Sequence, residues 1–280
     1  MNSVTSALLR TLCYFDAIDY APTFSEWVAW LDQGVGQSYT REEVIQGARQ
    51  LIDAQRVNLQ ADRVTFPERI SLVALHAERV LFMPRKLRAA RRVVAWLRRI
   101  QGVRFVALCN TTALAHARDA ADLDFFVITA RNTVWQTRGW ATLPYKLFNR
   151  RPRPDKEVPD AVCLSFFLDE AALDFQSLAL TNDDPYLRYW FLSLLPLYDD
   201  GISRLLWEEN KKLRQRHSFA SPWLLNADIS SSVPLLRIPT PTCLDRPARR
   251  LQERVLPRTM QKMDQGDTSV VCNDHVLKFH

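Results

Sequence analysis

The chain has 280 residues, of which 47% are hydrophobic, 24% charged and 10% aromatic, with 37 Lys+Arg against 31 Asp+Glu for a formal charge of +6. That apolar content excludes disorder throughout, and the length suggests two or three domains. No run reaches the roughly 18 apolar residues of a membrane helix; the nearest, residues 186–198, contains Arg188 and Pro196. The first six residues show no basic segment leading into an apolar one, so the sequence predicts no secretory leader and a cytoplasmic protein. The five cysteines are scattered and never paired as C-x-x-C, which argues against a disulfide framework and a zinc site. The mild positive balance is compatible with phosphate-rich ligands.

In chain order, residues 6–16 place Leu8, Leu9, Leu12, Cys13 and Phe15 at helical spacing. Tyr20-Ala21-Pro22-Thr23 breaks that stripe, and a short second helix carries Trp27, Val28 and Leu31 up to Gly34-Val35-Gly36. Thr40-Arg41-Glu42-Glu43 is a capping box, so a third helix begins there with Val44, Ile45, Ala48, Leu51 and Ile52 on one face. Alternation around an Ala61-Asp62 turn then predicts a hairpin over residues 57–66. Three helices followed by a hairpin is the order of a winged helix, assigned to residues 1–72.

The second zone, residues 73–182, opens with a basic helix over residues 72–101, bent at Pro84, with Leu87, Ala90, Val94 and Leu97 as its apolar face. A strand over Val103–Leu108, a short turn and helix, a second strand over Leu123–Thr129, a helix over residues 133–146, a loop over residues 149–154 and a strand over residues 161–168 follow. The third zone, residues 183–280, reads as helical over residues 185–195, 201–216 and 247–263. It is irregular over residues 217–241 and ends in a hairpin around Asn273-Asp274.

The stretch from Val106 to Thr129 carries the chemistry. Asp122 and Asp124 are two apart at the start of an apolar strand, so they share one face. Two adjacent carboxylates repel unless a cation lies between them, and hard oxygen ligands suit Mg²⁺ that also reaches substrate phosphates. Upstream, Asn110-Thr111-Thr112 forms a polar turn opening a helix, where backbone N–H groups and a hydroxyl are placed to hold phosphate.

This arrangement resembles the polymerase-β-like nucleotidyltransferase superfamily, whose signature is a strand, a Gly-Ser turn, a short helix and a D-x-D strand. The resemblance covers residues 102–168. It implies that Asn110 and Thr111 stand at the Gly and Ser places, with Asp122 and Asp124 as the paired metal-binding acids. The first zone, together with Trp135 and Arg138 after the D-x-D strand and the closing Leu277-Lys278-Phe279-His280, is similar to one bacterial group of such proteins with no settled substrate.

The superfamily often has a third carboxylate on a later strand, acting as base. Here Ser165 takes that place, with Asp160 before the strand and Asp169 after it. A two-acid site, substitution by Asp169, and loss of catalysis all stay open. Arg138 is read either as a phosphate contact or as a helix-surface arginine paired with an acid; Trp135 is read as core and His116 as a surface or capping residue. The basic helix is compatible with nucleic acid and equally with a solvated face, and the third helix, poor in basic residues, suggests a structural or protein-contacting role.

The expected class is therefore α+β, with a winged-helix-like domain, a nucleotidyltransferase-type mixed sheet with flanking helices, and a helical C-terminal region. The expected activity is Mg²⁺-dependent transfer of a nucleoside monophosphate from an NTP to an unidentified acceptor, with no membrane partner. The alternatives are a catalytically degenerate nucleotide- or partner-binding module and a winged-helix DNA-binding regulator.

Overall fold

The structure, a computed structural model, describes residues 3–152, 157–181, 183–223, 236–255 and 270–279. The chain forms a small helical unit followed by a mixed α+β unit built on a six-stranded sheet. No helix among the described residues is long and apolar enough to cross a membrane.

The first unit contains α1 (Ser3–Ala17), α2 (Phe24–Ala29), α3 (Arg41–Asp53) and the strands β1 (Asn58–Gln60) and β2 (Arg63–Thr65). Two of its three helices start with capping boxes. Thr23 with Glu26 caps α2, and Thr40 with Glu43 caps α3. β1 and β2 pair antiparallel through Ala61 and Asp62, both at positive φ (49° and 61°), the backbone that a tight two-residue hairpin turn demands. Leu8, Trp27, Leu31, Val44, Leu51 and Val64 form its core, and Trp27 Nε1 donates to the Leu8 carbonyl at 2.9 Å.

The basic segment is two helices rather than one bent rod. α4 (Ser71–Val80) stops at Leu81-Phe82, and α5 (Met83–Leu97) starts with Pro84 in its first turn, where a missing N–H costs nothing. Then follow β3 (Val103–Leu108), α6 (Asn110–Ala113), β4 (Leu123–Thr129), α7 (Val134–Leu147) and β5 (Val162–Asp169). α8 (Pro185–Leu192), β6 (Leu195–Asp199), α9 (Ser203–Glu209), α10 (Asp245–Val255), β7 (Val270–Cys272) and β8 (Val276–Phe279) complete the order.

The sheet order is β6-β3-β4-β5-β8-β7, with only β4 and β5 parallel, joined through α7. Residues 183–280 are therefore not a purely helical region, because they supply three of the six strands. The expected helix over residues 185–195 ends at Leu192, and Leu195-Pro196-Leu197 enters the sheet as an edge strand, where proline is tolerated. The helix expected over residues 201–216 is helical only over α9. The terminal hairpin forms as β7 and β8. Residues 224–235 of the expected irregular stretch, 256–263 of the last expected helix, 153–154 of the expected loop and 268–269 of the hairpin lie outside the described residues.

The sheet is buried on both faces. On one face Phe105, Phe126 and Phe166 pack under Trp190 and Phe191 of α8, Phe15 of α1 and Trp207 of α9. On the other, Val106, Phe125, Val127 and Phe167 pack under Val93, Val94 and Leu97 of α5 and Trp135 of α7. At the start of β4, buried Lys86 bolts α5 to the sheet. Its Nζ donates to the carbonyls of Asp119 (3.2 Å) and Ala121 (2.6 Å) and to Asp160 Oδ1 (2.9 Å), immediately before Asp122 and before β5.

Candidate functional site

β3 leaves the sheet at Cys109, and the next residue, Asn110, turns the chain with φ +57°, a left-handed conformation that asparagine tolerates better than most side chains. The turn is latched to β4 by its backbone, since Cys109 N–H donates to the Asp124 carbonyl at 3.0 Å. Thr112, fully buried, donates its hydroxyl to the Asp122 carbonyl at 3.3 Å. Thr112 is thus a latch within the fold and presents no hydroxyl to a ligand. Thr111, its neighbour, is exposed. α6 is a single turn, so it offers amides rather than a developed dipole.

Asp122 and Asp124 lie at the start of β4, each half-buried. Strand alternation puts Asp124 on the face of Phe126, under α8. Asn110 Nδ2 donates to Asp124 Oδ2 at 3.1 Å. The Asn110 Oδ1 accepts from Trp190 Nε1 at 3.1 Å and from the Tyr186 hydroxyl at 3.4 Å. Tyr186 and Trp190 are one turn apart on α8, so a single helix face holds the carboxamide against the carboxylate. Nothing in the sequence points to this pair, because the aromatic run reads equally well as core.

Across β4 and β5, Asp124 is in register with Cys163, and three residues of β5 then span two of β4, from Cys163 to Phe166 against Asp124 to Phe126. Cys163 Sγ donates to Ser165 Oγ at 3.4 Å. Burial, reinforced by the Asp124 charge, pushes the Cys163 thiol up to about 12, so it is neutral at ordinary pH. Burial, then Asp124 and Cys163, likewise holds the Cys109 thiol well above its usual range. A thiol and a hydroxyl therefore occupy the strand beside Asp124, at the place of the superfamily's third carboxylate.

Asp169 does not substitute for that carboxylate. It pairs with Thr129 at the far end of β4, five residues beyond Asp124, or about 17 Å along the strand. Fully buried, it accepts the N–H groups of Asn132 (2.6 Å) and Ala171 (2.8 Å) and faces His275 Nδ1 at 3.5 Å. Arg138 is also elsewhere. It is buried in α7 against α10, donating to Gln252 Oε1 at 2.7 Å, and burial followed by the nearby Arg151 charge pushes it down to about 10. It is neither a surface residue nor part of the turn. Trp135 is core, with its Nε1 on the Asn273 carbonyl. His116 is buried rather than exposed, and its Nδ1 lies 3.2 Å from His76 Nδ1.

The donor set suits a hard divalent cation in one way only. Among the described residues no cluster of three or more His, Cys, Asp or Glu could hold a metal alone. Two carboxylates on one strand end are the set that Mg²⁺ uses when the substrate's own phosphate oxygens and water complete its shell. Comparison with known proteins gives no match: no protein family, no curated protein and no solved structure.

Proposed function

We propose that the chain is a nucleotidyltransferase of the polymerase-β-like type, carrying a winged-helix-like N-terminal unit. Its reaction moves a nucleoside monophosphate from an NTP to an acceptor hydroxyl or other nucleophile. The observation that carries this reading is the latch between turn and strand. Cys109 N–H and the Thr112 hydroxyl hold Asn110 and Thr111 beside Asp122 and Asp124, so a phosphate chain and its metal-binding carboxylates would meet at one end of β4.

In the reaction a bond forms between the acceptor oxygen and the α-phosphorus, the α–β phosphoanhydride breaks, and pyrophosphate leaves. Asp122 and Asp124 would hold Mg²⁺, which supplies neutralisation of charge on the transferring group. Thr111 and the turn amides would position the terminal phosphates. The acceptor hydroxyl would give its proton to solvent water, since no third carboxylate stands on the strand to take it.

A second reading is favoured by the Asn110 carboxamide. It already occupies one oxygen of Asp124 and is held there by Trp190, and this suits a module that binds nucleotide without turning it over. Calorimetric titration of each NTP with and without Mg²⁺, followed by a pyrophosphate-release assay, separates the two. The transferase reading expects Mg²⁺-dependent binding and release, both lost in Asp122→Asn/Asp124→Asn. Binding without release supports the module, and NTP binding unaffected by the double substitution removes the site altogether.

A further inference from the structure

A cleft of about 310 Å³ lies between the residue 34–37 loop and the start of α8, and Arg188, Arg216, Lys212, Asp183, Gly34 and Gly36 are among its walls. Two of these wall residues, Arg188 and Arg216, share one carboxylate behind the cleft. Asp32, 3% exposed, is shared by two guanidinium groups: Arg216 Nε at 2.6 Å from Oδ1 and Arg188 Nη2 at 3.1 Å from Oδ2. Arg188 is itself only 7% exposed. Two buried or half-buried cations on one carboxylate leave one positive charge over, and an uncompensated guanidinium in such a place is strongly unfavourable.

The compensating anion comes from the surface. Asp183, with 62% of its side chain exposed, lays both oxygens 3.0 Å from Arg216 Nη1 and also pairs with Arg188 Nη1. Arg188 Nε is buried with no hydrogen-bond partner among the described residues. Asp184, the next residue, is committed elsewhere: it caps α8 through Leu187 N–H and accepts Leu180 N–H. The residue 34–37 loop is shaped by Gly34 and Gly36, both at positive φ (+86° and +69°), and a side-chain carbon built at Gly36 would meet nothing within 4 Å.

We propose that this cleft is a second ligand site, for a small molecule with a carboxylate or phosphate head group, and that Asp183 is the internal group this head displaces. A planar carboxylate or a phosphate presents two guanidinium groups with the same oxygens that Asp183 presents. Lys212 adds a further cation to the wall, and Gln37, Gln176 and Gln215 give amides for a polar body. α8 is the partition between the two sites, with Arg188 at the cleft and Tyr186 and Trp190 on Asn110. The proposal does not depend on the nucleotidyl-transfer reading.

The test is calorimetry on the full chain without Mg²⁺, with inorganic phosphate in one arm and succinate in the other, at ionic strength held constant with KCl. Asp183→Ala removes the internal competitor and is expected to bind one of the two at least tenfold more tightly than the unmodified protein, and the arm that gains identifies the head group. The same anion raises the melting temperature of Asp183→Ala more than that of the unmodified protein. Adding Arg216→Gln to Asp183→Ala abolishes the gain, and Asp124→Asn leaves it unchanged. No gain in either arm overturns the proposal and makes Asp183 a structural ion-pair partner. A gain that survives Arg216→Gln, or that Asp124→Asn removes, places the anion elsewhere and overturns it equally.

Discussion

The carboxamide of Asn110 sits between the Asp124 carboxylate, the metal ligand we propose, and an indole that keeps the carboxamide in place. Replacing it by glycine keeps the left-handed backbone at no steric cost and releases Asp124 Oδ2. Asn110→Gly is therefore expected to bind Mg²⁺-NTP several-fold more tightly than the unmodified protein, as read by calorimetry. An unchanged or weaker affinity would make the carboxamide a ligand group in its own right. At this scale the sequence was informative where contacts are local. The period of two on a strand and a short connector were enough to bring Asn110, Asp122 and Asp124 together. Arg138 and Asp169 were not legible, because the first depends on which sheet face α7 covers and the second on the β4–β5 register, and neither is written in a single segment.

Among the elements, α5 shows how a charged residue can belong to the interior. Lys86 reads as one more basic residue in a solvated run, yet its ammonium is spent on two carbonyls and one carboxylate just ahead of Asp122. Lys86→Met strands Asp160 beside Arg85 alone and frees the residue 119–121 loop. A loss of about 3 kcal/mol is expected in denaturant unfolding. Thr40→Ala, which removes only an exposed capping box, should cost about 1 kcal/mol in the same experiment. If the two substitutions cost the same, the lysine is not the bolt described. Elements with a local signature were readable from the chain: the capped helices, the hairpins and the apolar strands β3 to β5. β6 was not, because Leu195-Pro196-Leu197 continues the apolar run of α8, and only the free edge of β3 decides that it is a strand.

At the scale of the whole molecule, Tyr20 of the helical unit meets the rest of the chain at a buried pair of histidines. His76 of α4 and His116, whose N–H closes the turn after Thr111, stack with ring planes 8° apart, and Tyr20 lies edge-on to both. Burial, then Arg63 and Arg79, pushes His76 down to about 4; burial, then Arg79 and His76, does the same to His116. Both are thus neutral in the folded protein where the unfolded chain, titrating near 6.5, takes up protons. Stability is fully present above pH 6.5 and falls as pH drops from 6.5 towards 4. Melting temperatures measured between pH 7.5 and 4 should show this decline, and His76→Phe/His116→Phe should flatten it between pH 6.5 and 5, above the range where carboxylates dominate. An equal slope in both proteins would assign the decline to other groups.

The strand order also sets a schedule for synthesis. β5 ends at Asp169, but its outer neighbour β8 begins only at Val276, more than a hundred residues later. At ribosomal rates that delay is on the order of 5–20 s. Throughout it, the unpaired amides and carbonyls of Phe166, Phe167 and Leu168 form an open sheet edge of the kind that recruits other chains. The nascent protein thus passes through an interval in which shielding by a chaperone, or slow growth at low temperature, decides how much of it escapes aggregation.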